Sequence, residues 1–389
     1  MSVTKAHGFR AAGVTAGLKA SGKPDLALLV NDGPDHHAAA VFTSNRVAAA
    51  PVHWSRQVLA DGRVDAVVLN SGGANACTGP QGFQNTHTTA EKAADVLGLS
   101  ATDIAVCSTG LIGEQLPMDK ILPGVEAAAA ALADDGGAAA AGAIMTTDTV
   151  RKEAAWTSAP NADGGTYTIG GMAKGAGMLA PGLATMLVVI TTDAEVGADG
   201  LDAALRDAVA VTFNRADSDG CMSTNDTVLL LASGATGLYP DMDEFTRGLT
   251  EVCATLARAL IADAEGANHD IAVTTLNAAS ERDAEIVSRA VARSNLFKTA
   301  IFGKDPNWGR VLSAVGTTDA QFDPDELNVS INGVQVCRRG GIGDSRDLVD
   351  LQAREVTVEI DLRAGDATAT IWTNDLTHAY VEENSAYSS

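Results

Sequence analysis

The chain has 389 residues, 46% of them hydrophobic, which is enough core for two lobes or one large layered unit. Its 27 basic and 49 acidic side chains leave a net charge of -22, a field that repels phosphate backbones and anionic bilayers and so excludes nucleic acid as a partner. No apolar run approaches the roughly 20 residues that cross a bilayer, and the opening MSVTKAHGFRAAGVTAGLKASG has no signal-length apolar stretch, so a cytoplasmic protein is expected.

Short apolar runs bounded by Gly, Asn or Asp predict strands at residues 26–30, 38–43, 66–70 and 104–108. Residues 119–133 read as an alanine-rich helix with Pro123 near its first turn, stopped by the Asp-Asp-Gly-Gly run at 134–137. A helix follows at 201–213, a strand at 227–231 and an amphipathic helix at 242–264. Residues 271–275 read as a strand, 283–294 as a helix, and 327–331 and 355–362 as late strands. Strands mixed with helices in both halves predict a layered α/β architecture.

The five cysteines, Cys77, Cys107, Cys221, Cys253 and Cys337, form no CxxC pair and have no neighbouring His at ligand spacing, so buried reduced thiols are expected. His36 and His37 have no second pair to complete a metal site and read as surface side chains. In Asp217-Ser218-Asp219-Gly220 the glycine comes too early for an EF-hand loop, and a solvated turn is expected.

Residues 174–194, KGAGMLAPGLATMLVVITTDA, set a glycine-rich, loop-like segment directly before an apolar strand. Lys174 precedes its glycine, so no Walker loop is present. Gly175, Gly177 and Ala180 satisfy the loose G-x-G-x-x-A pattern, but Pro181-Gly182 and the β-branched run after Leu187 predict a strand where a dinucleotide site needs a helix N-terminus. Thr185 sits at the joint. Its hydroxyl becomes a nucleophile once a base takes its proton, and the α-amine of a threonine at a chain's own N-terminus is such a base. That amine is neutral in about a tenth or more of molecules at pH 7, whereas an unperturbed lysine is neutral in well under a thousandth. Cleavage after Ala184 would expose it. From the residues alone, a structural threonine at the head of a strand remains the competing reading.

The block from Lys174 to Met178, Pro181, and Ala184-Thr185-Met186-Leu187 closely resembles the signature of the glutamate N-acetyltransferase family, also called ornithine acetyltransferase. Further blocks are similar in the same order along essentially the whole chain: NSGGANACTG at 70–79, STGLIG at 108–113, MTTDT at 145–149, STNDT at 223–227, DAEGA at 263–267, KTA at 298–300, DPNWGR at 305–310 and YVEENSAYSS at 380–389. Gly73 and Gly182 depart from the family's usual Asn and larger polar residue, which bears on loop stiffness.

The resemblance implies an enzyme of arginine biosynthesis that moves acetyl from N2-acetyl-L-ornithine to L-glutamate, possessing neither metal nor organic cofactor. It implies the layered α/β fold shared with DmpA-type aminopeptidases, and self-cleavage between Ala184 and Thr185 into an α chain (1–184) and a β chain (185–389), assembled as an α2β2 heterotetramer. Thr185 would be the nucleophile, with Thr109 and Gly110 holding the oxyanion. Thr146, Lys174, Thr185, Glu265, Asn384 and Ser389 carry over as substrate-binding positions. Lys174 suits a substrate carboxylate, and Glu265 or the terminal carboxylate of Ser389 suits the ornithine side-chain cation. An amidase or aminopeptidase passing the same acyl group to water is the alternative, and whether acetyl-CoA also serves as donor is left open.

Overall fold

The computed structural model describes residues 2–178 and 186–386. Two compact units divide them: residues up to Asn214 with Cys221–Leu260, and Arg215–Gly220 with the residues from Ile261 onward.

In the first unit, β1 (Phe9–Val14), β2 (Leu26–Asn31), β4 (Ala66–Ser71) and β5 (Ile104–Thr109) form a four-stranded sheet in the order β1-β2-β4-β5, with β3 (His37–Phe42) going to a second sheet. β4 and β5 run parallel, pairing Ser71 with Thr109 at their C-terminal ends. Both are buried along their whole length, as the continuous apolar runs of strands covered on both faces require. Helices α1 (Ala50–Val58) and α2 (Gly79–Leu97) pack on β5, and α3 (Met118–Ala130) on β1 and β2. α4 (Gly137–Ala143) packs on β1 and β2 and also touches β6 (Lys152–Thr157) and β7 (Thr168–Lys174).

The second sheet has the order β3-β9-β8-β7-β6, with β8 (Leu187–Thr192) and β9 (Thr227–Ala232) at its centre. β8 runs parallel to β9 and antiparallel to β7. α5 (Ala198–Val211) packs on β3, and Val252 and Leu256 of α6 (Met242–Ala262) lie over Gly171 of β7. One continuous core joins the sheets, with Leu28, Val68 and Val106 from the first and Met172, Val189 and Leu231 from the second.

The second unit contains a six-stranded sheet in the order β13-β12-β11-β14-β10-β15. Its strands are β10 (Asp270–Ala278), β11 (Asn328–Ile331), β12 (Val334–Arg338), β13 (Gly341–Ile342), β14 (Glu355–Asp361) and β15 (Ala367–Asn374). β14 alternates exposed and buried residues along its length, the signature of a sheet covered on one face. That face is covered by α7 (Glu281–Ala292), which packs on β10 and β15, with α8 (Asn295–Phe302) and α9 (Trp308–Val315) beside it. α10 (His378–Ala386) closes the described chain.

The expected α/β architecture holds, and the predicted strands and helices form within a few residues of their sequence bounds. Four local expectations are corrected. Pro123 lies inside α3 instead of near its start, because the helix begins at Met118 behind Pro117. Cys77 and Cys221 are exposed, while Cys107, Cys253 and Cys337 are buried. His36 is half-buried, its Nδ1 3.0 Å from the Asp65 carboxylate. Asp217 is buried, not solvated: Arg293 Nε donates to its Oδ2 at 2.7 Å and Arg289 Nη1 approaches at 3.4 Å. A carboxylate taken out of water needs such cationic partners to stay ionised.

No helix among the described residues is long and apolar enough to cross a membrane. The bond between Ala184 and Thr185 lies in the connection from β7 to β8, and both residues lie outside the described set, as does Ser389.

Candidate active site

The parallel ends of β4 and β5 bring two glycine-bearing loops side by side. The N–H groups of Gly72 and Gly73 both donate to the Thr109 carbonyl, at 2.8 and 3.0 Å, and the Ala74 N–H donates to Leu111 O at 2.8 Å. Gly110 has φ +129°, and a Cβ there would stand 2.6 Å from Gly73 N. Only glycine combines that backbone angle with so close an approach.

A buried polar frame holds these loops. Ser108 Oγ donates to Asn70 Oδ1 at 2.6 Å, and Asn70 Nδ2 donates to Gly73 O at 3.1 Å. Asn225 Nδ2 donates to Ala74 O at 2.6 Å and to Ser108 O at 2.8 Å. Side-chain networks satisfied in this way make one backbone geometry much more stable than its neighbours. Thr109 and Gly110 are therefore held rigidly.

Lys174 ends β7, is 2% exposed, and its Nζ donates to Thr109 Oγ1 at 3.2 Å. An ammonium so deeply placed needs negative charge nearby, and Asp148 provides it. Asp148 Oδ1 accepts from Lys152 Nζ at 2.6 Å and from the Gly175 N–H at 2.7 Å, while Oδ2 accepts from the Thr146 N–H at 2.9 Å. Burial alone would raise the Asp148 pKa, but Lys174, Lys152 and the Gly175 N–H together hold it down at about 2. Through this one carboxylate, Thr146 and the start of the glycine-rich segment are tied to the buried lysines.

Lys19, half-buried, donates from Nζ to Met145 O at 2.6 Å and to Pro24 O at 2.8 Å, so it closes on the residue preceding Thr146. Its pKa is lowered, chiefly by burial and further by the Lys174 charge, against the opposing pull of Asp25 and Asp148.

Asp226, at the entrance to β9, is fully buried. Its Oδ1 accepts the Met186 N–H at 3.0 Å, and the Thr227 N–H returns a bond to Met186 O at 3.2 Å, so the residue after Thr185 is pinned on both sides. Burial pushes the Asp226 carboxyl well above the usual carboxylate range, outweighing the Met186 N–H, Ser223, Lys174 and Thr43, which act the other way.

In the second unit Asn384 Nδ2 donates to Glu265 Oε2 at 2.9 Å and to Tyr380 O at 3.0 Å. Gly266, with φ +65°, lets the backbone after Glu265 approach α10 so closely that a Cβ would stand 2.3 Å from Tyr380 N. The surroundings are acidic: burial, then Glu265, Asp263 and Glu382, raise the pKa of Glu383. Also in this unit, Lys298 is buried with Nζ donating to Ser218 O and, at 3.2 Å, to Asn374 Oδ1; burial lowers its pKa to about 8.

The first unit thus brings together Thr109, Gly110, Lys174 and Thr146, and the second brings together Glu265 and Asn384. Sequence reasoning missed Lys19, Asp148, Lys152 and Asp226 as members of the polar centre. Asp148 and Asp226 stand inside the MTTDT and STNDT blocks, which was the one available signal. Among the described residues no group of three or more His, Cys, Asp or Glu is placed to hold a metal ion.

The model of the ArgJ family matches residues 10–389. The arginine biosynthesis bifunctional protein ArgJ of Streptomyces coelicolor is 67% identical over 389 residues, covering 100% of both chains. The protein of the same description from Thermobifida fusca is 63% identical over 388 residues, again with 100% of each covered. Among solved structures, ornithine acetyltransferase complexed with ornithine from Mycobacterium tuberculosis is 55% identical, with 48% of this chain and 96% of that chain covered and a TM-score of 0.44.

Proposed function

The chain belongs to the ArgJ family and is an ornithine acetyltransferase of arginine biosynthesis, and from that premise we propose how its own residues carry the reaction. The chain cuts itself between Ala184 and Thr185, and the freed Thr185 attacks the acetyl carbonyl of N2-acetyl-L-ornithine with its α-amine as base. Donors at Thr109 and Gly110 take the oxyanion; removing one such donor elsewhere lowers turnover by about 100- to 1000-fold. Ornithine leaves, an acetyl ester remains on Thr185, and the amine of L-glutamate then attacks that ester, regenerating the hydroxyl. Ping-pong kinetics follow.

The observation that carries this reading is the buried Lys174 ammonium 3.2 Å from Thr109 Oγ1, beside the glycine-only turn at Gly110. A positive charge and a rigid pair of loops stand together at the C-terminal end of β5, the expected oxyanion position. Lys174 is the partner for a substrate carboxylate, aided by Thr146; Glu265 and Asn384, with the chain end at Ser389, take the ornithine side-chain cation. The bifunctional description of the relatives extends the donor set, and acetyl-CoA is the second donor we assign. We further propose that the 1–184 and 185–389 pieces assemble as an α2β2 heterotetramer in the cytoplasm.

Three measurements on the wild-type protein test the reading. Intact mass should show two fragments meeting at Ala184 and Thr185 in place of one 39.7 kDa chain. Acetylornithine should be converted to ornithine when glutamate is present and not without it; brisk glutamate-independent release would make the protein a hydrolase. Glutamate acetylation by acetyl-CoA with no acetylornithine checks the second donor.

A further inference from the structure

The two amino acids that the transfer serves pose a problem of sign. N2-Acetyl-L-ornithine and L-glutamate share an α-carboxylate, for which Lys174 is the partner argued above. Beyond it they differ, since ornithine ends in an ammonium and glutamate in a second carboxylate. A carboxylate such as Glu265 attracts the first and repels the second, so the glutamate side chain calls for a cation of its own.

Lys19 is a cation placed for that task. Its loop is built around one carboxyl: Asp25, with 0% exposure, accepts the Ala16 N–H at 2.6 Å on Oδ1, and the Leu18 and Lys19 N–H groups at 2.6 and 3.0 Å on Oδ2. Three charge-assisted bonds from the backbone to one buried group leave the loop little freedom. Leu18 then leans on the glycine turn at the end of β4, where a Cβ added to Gly72 would stand 2.9 Å from Leu18 Cβ. Gly72 is the residue whose N–H donates to Thr109 O at 2.8 Å. The backbone that presents Lys19 is thus packed on the turn beside Thr109 and Gly110.

The side chain reaches the same polar centre as Lys174. Lys19 Nζ donates to Met145 O at 2.6 Å, one residue before Thr146, whose N–H is bonded to Asp148; Asp148 in turn accepts from the Gly175 N–H, one residue after Lys174. Burial chiefly, and then the Lys174 charge, lower the Lys19 pKa, so the two ammonium groups feel one another. An ammonium has three N–H groups, and among the described residues Lys19 uses two, on Met145 O and on Pro24 O at 2.8 Å. The residue is half-buried, which leaves its head group open to a solute. Lys152, 2% exposed and closed on Asp148, has no such opening.

We propose that Lys19 recognises the side-chain carboxylate of L-glutamate while Lys174 holds the α-carboxylate, so that two ammonium groups clamp a dicarboxylate. This rests on the substrate reading above and extends it to the acceptor. An anion shared by the two lysines also relieves the repulsion between like charges. Acetylornithine, with an ammonium in place of the second carboxylate, gains nothing from Lys19.

Steady-state kinetics test this. In a ping-pong scheme kcat/KM for acetylornithine reports only the acetylation of the enzyme, and kcat/KM for glutamate only its deacetylation. Lys19→Gln keeps two N–H donors for Met145 O and Pro24 O and removes the charge. It should lower kcat/KM for glutamate about tenfold or more, the scale of one charged hydrogen bond, and leave kcat/KM for acetylornithine within about twofold. Lys19→Arg should recover part of the loss, and the wild-type preference for glutamate over glutamine as acceptor should shrink in Lys19→Gln by the same factor as the glutamate constant. A merely structural role would lower both constants together. That result overturns the inference, as does an unchanged glutamate constant. Should neither variant fold, Lys19 is a structural residue and the inference fails. Lys174→Met separates the inference from the reading beneath it. If both constants survive Lys174→Met, the carboxylate end is misplaced and both fall; if Lys174→Met lowers both while Lys19→Gln lowers neither, this inference alone falls.

Discussion

The two clusters of candidate site residues treat charge in opposite ways. In the first, Asp148, Lys152 and Lys174 are removed from water: Asp148 accepts from Lys152 Nζ and the Gly175 N–H, and Lys174 donates to Thr109 Oγ1. In the second, the bond between Glu265 and Asn384 lies at the surface. A charge without water has a strong, directional need for a partner, whereas an exposed pair exchanges easily with solvent and is worth about 0.2–1 kcal/mol. The buried centre is therefore suited to geometry that must not vary, and the exposed pair to a ligand that comes and goes.

Variants on the two sides should differ in the size of their effects. The largest is expected from Thr185→Ala, which should abolish both cleavage and acetyl transfer, with Thr185→Ser retaining part of each; a cleaved, active alanine variant would refute the nucleophile assignment. Next comes Asp148→Ala. It removes the carboxylate that Lys152 donates to and that Lys174 faces, and breaking a buried pair costs about 3–5 kcal/mol. A thermal melt little different from wild type would show that the centre tolerates unpaired charge.

The acid limb of stability sharpens the same point. The Asp148 carboxyl is held near 2 in the fold, below its ordinary value of 3.8. Its contribution is full above the unfolded value and is lost as pH falls through about 2. Denaturant melts should show that acid loss in wild type and a weaker one in Asp148→Asn.

Smaller effects follow. Lys174→Met should raise KM for the amino-acid substrates about tenfold or more, the scale of one charged hydrogen bond; unchanged KM values would remove Lys174 from the substrate site. Glu265→Gln should raise KM for acetylornithine by less than about fivefold, as an exposed pair implies. An effect as large as that of Lys174→Met would erase the contrast between the two clusters.

Much of this architecture was legible before any coordinates. The run at 187–192 reads as a buried strand because six successive residues are apolar or β-branched, and it is one. Gly110 was marked by resemblance, and its φ and crowding against Gly73 give the reason. Lys174 was marked by its place in the glycine-rich segment, though its depth was not. Asp148 and Asp226 escaped notice because a lone aspartate has no periodicity. Each has a partner far away in sequence: Gly175 lies 27 residues from Asp148, and Met186 lies 40 residues from Asp226. Burial of that kind arises from strand pairing, which local patterns do not encode. Asp217 misled for the same reason, since its turn-like sequence conceals the arginines of α7 and the residue after it.

The strand order of the five-stranded sheet has a consequence for what cleavage does to the molecule. β3, β7 and β6 precede the bond at 184–185 and β8 and β9 follow it, so in the order β3-β9-β8-β7-β6 each piece supplies strands on which the other depends. Cutting there would release neither piece. It would turn the folding of one chain into the association of two, and stability would acquire a dependence on protein concentration that the intact chain lacks. Once unfolded and diluted, the mature protein would have to find its other half before the central sheet could form again. Maturation would thus make folding a one-way event, with persistence after cleavage set by how slowly the interleaved sheet opens.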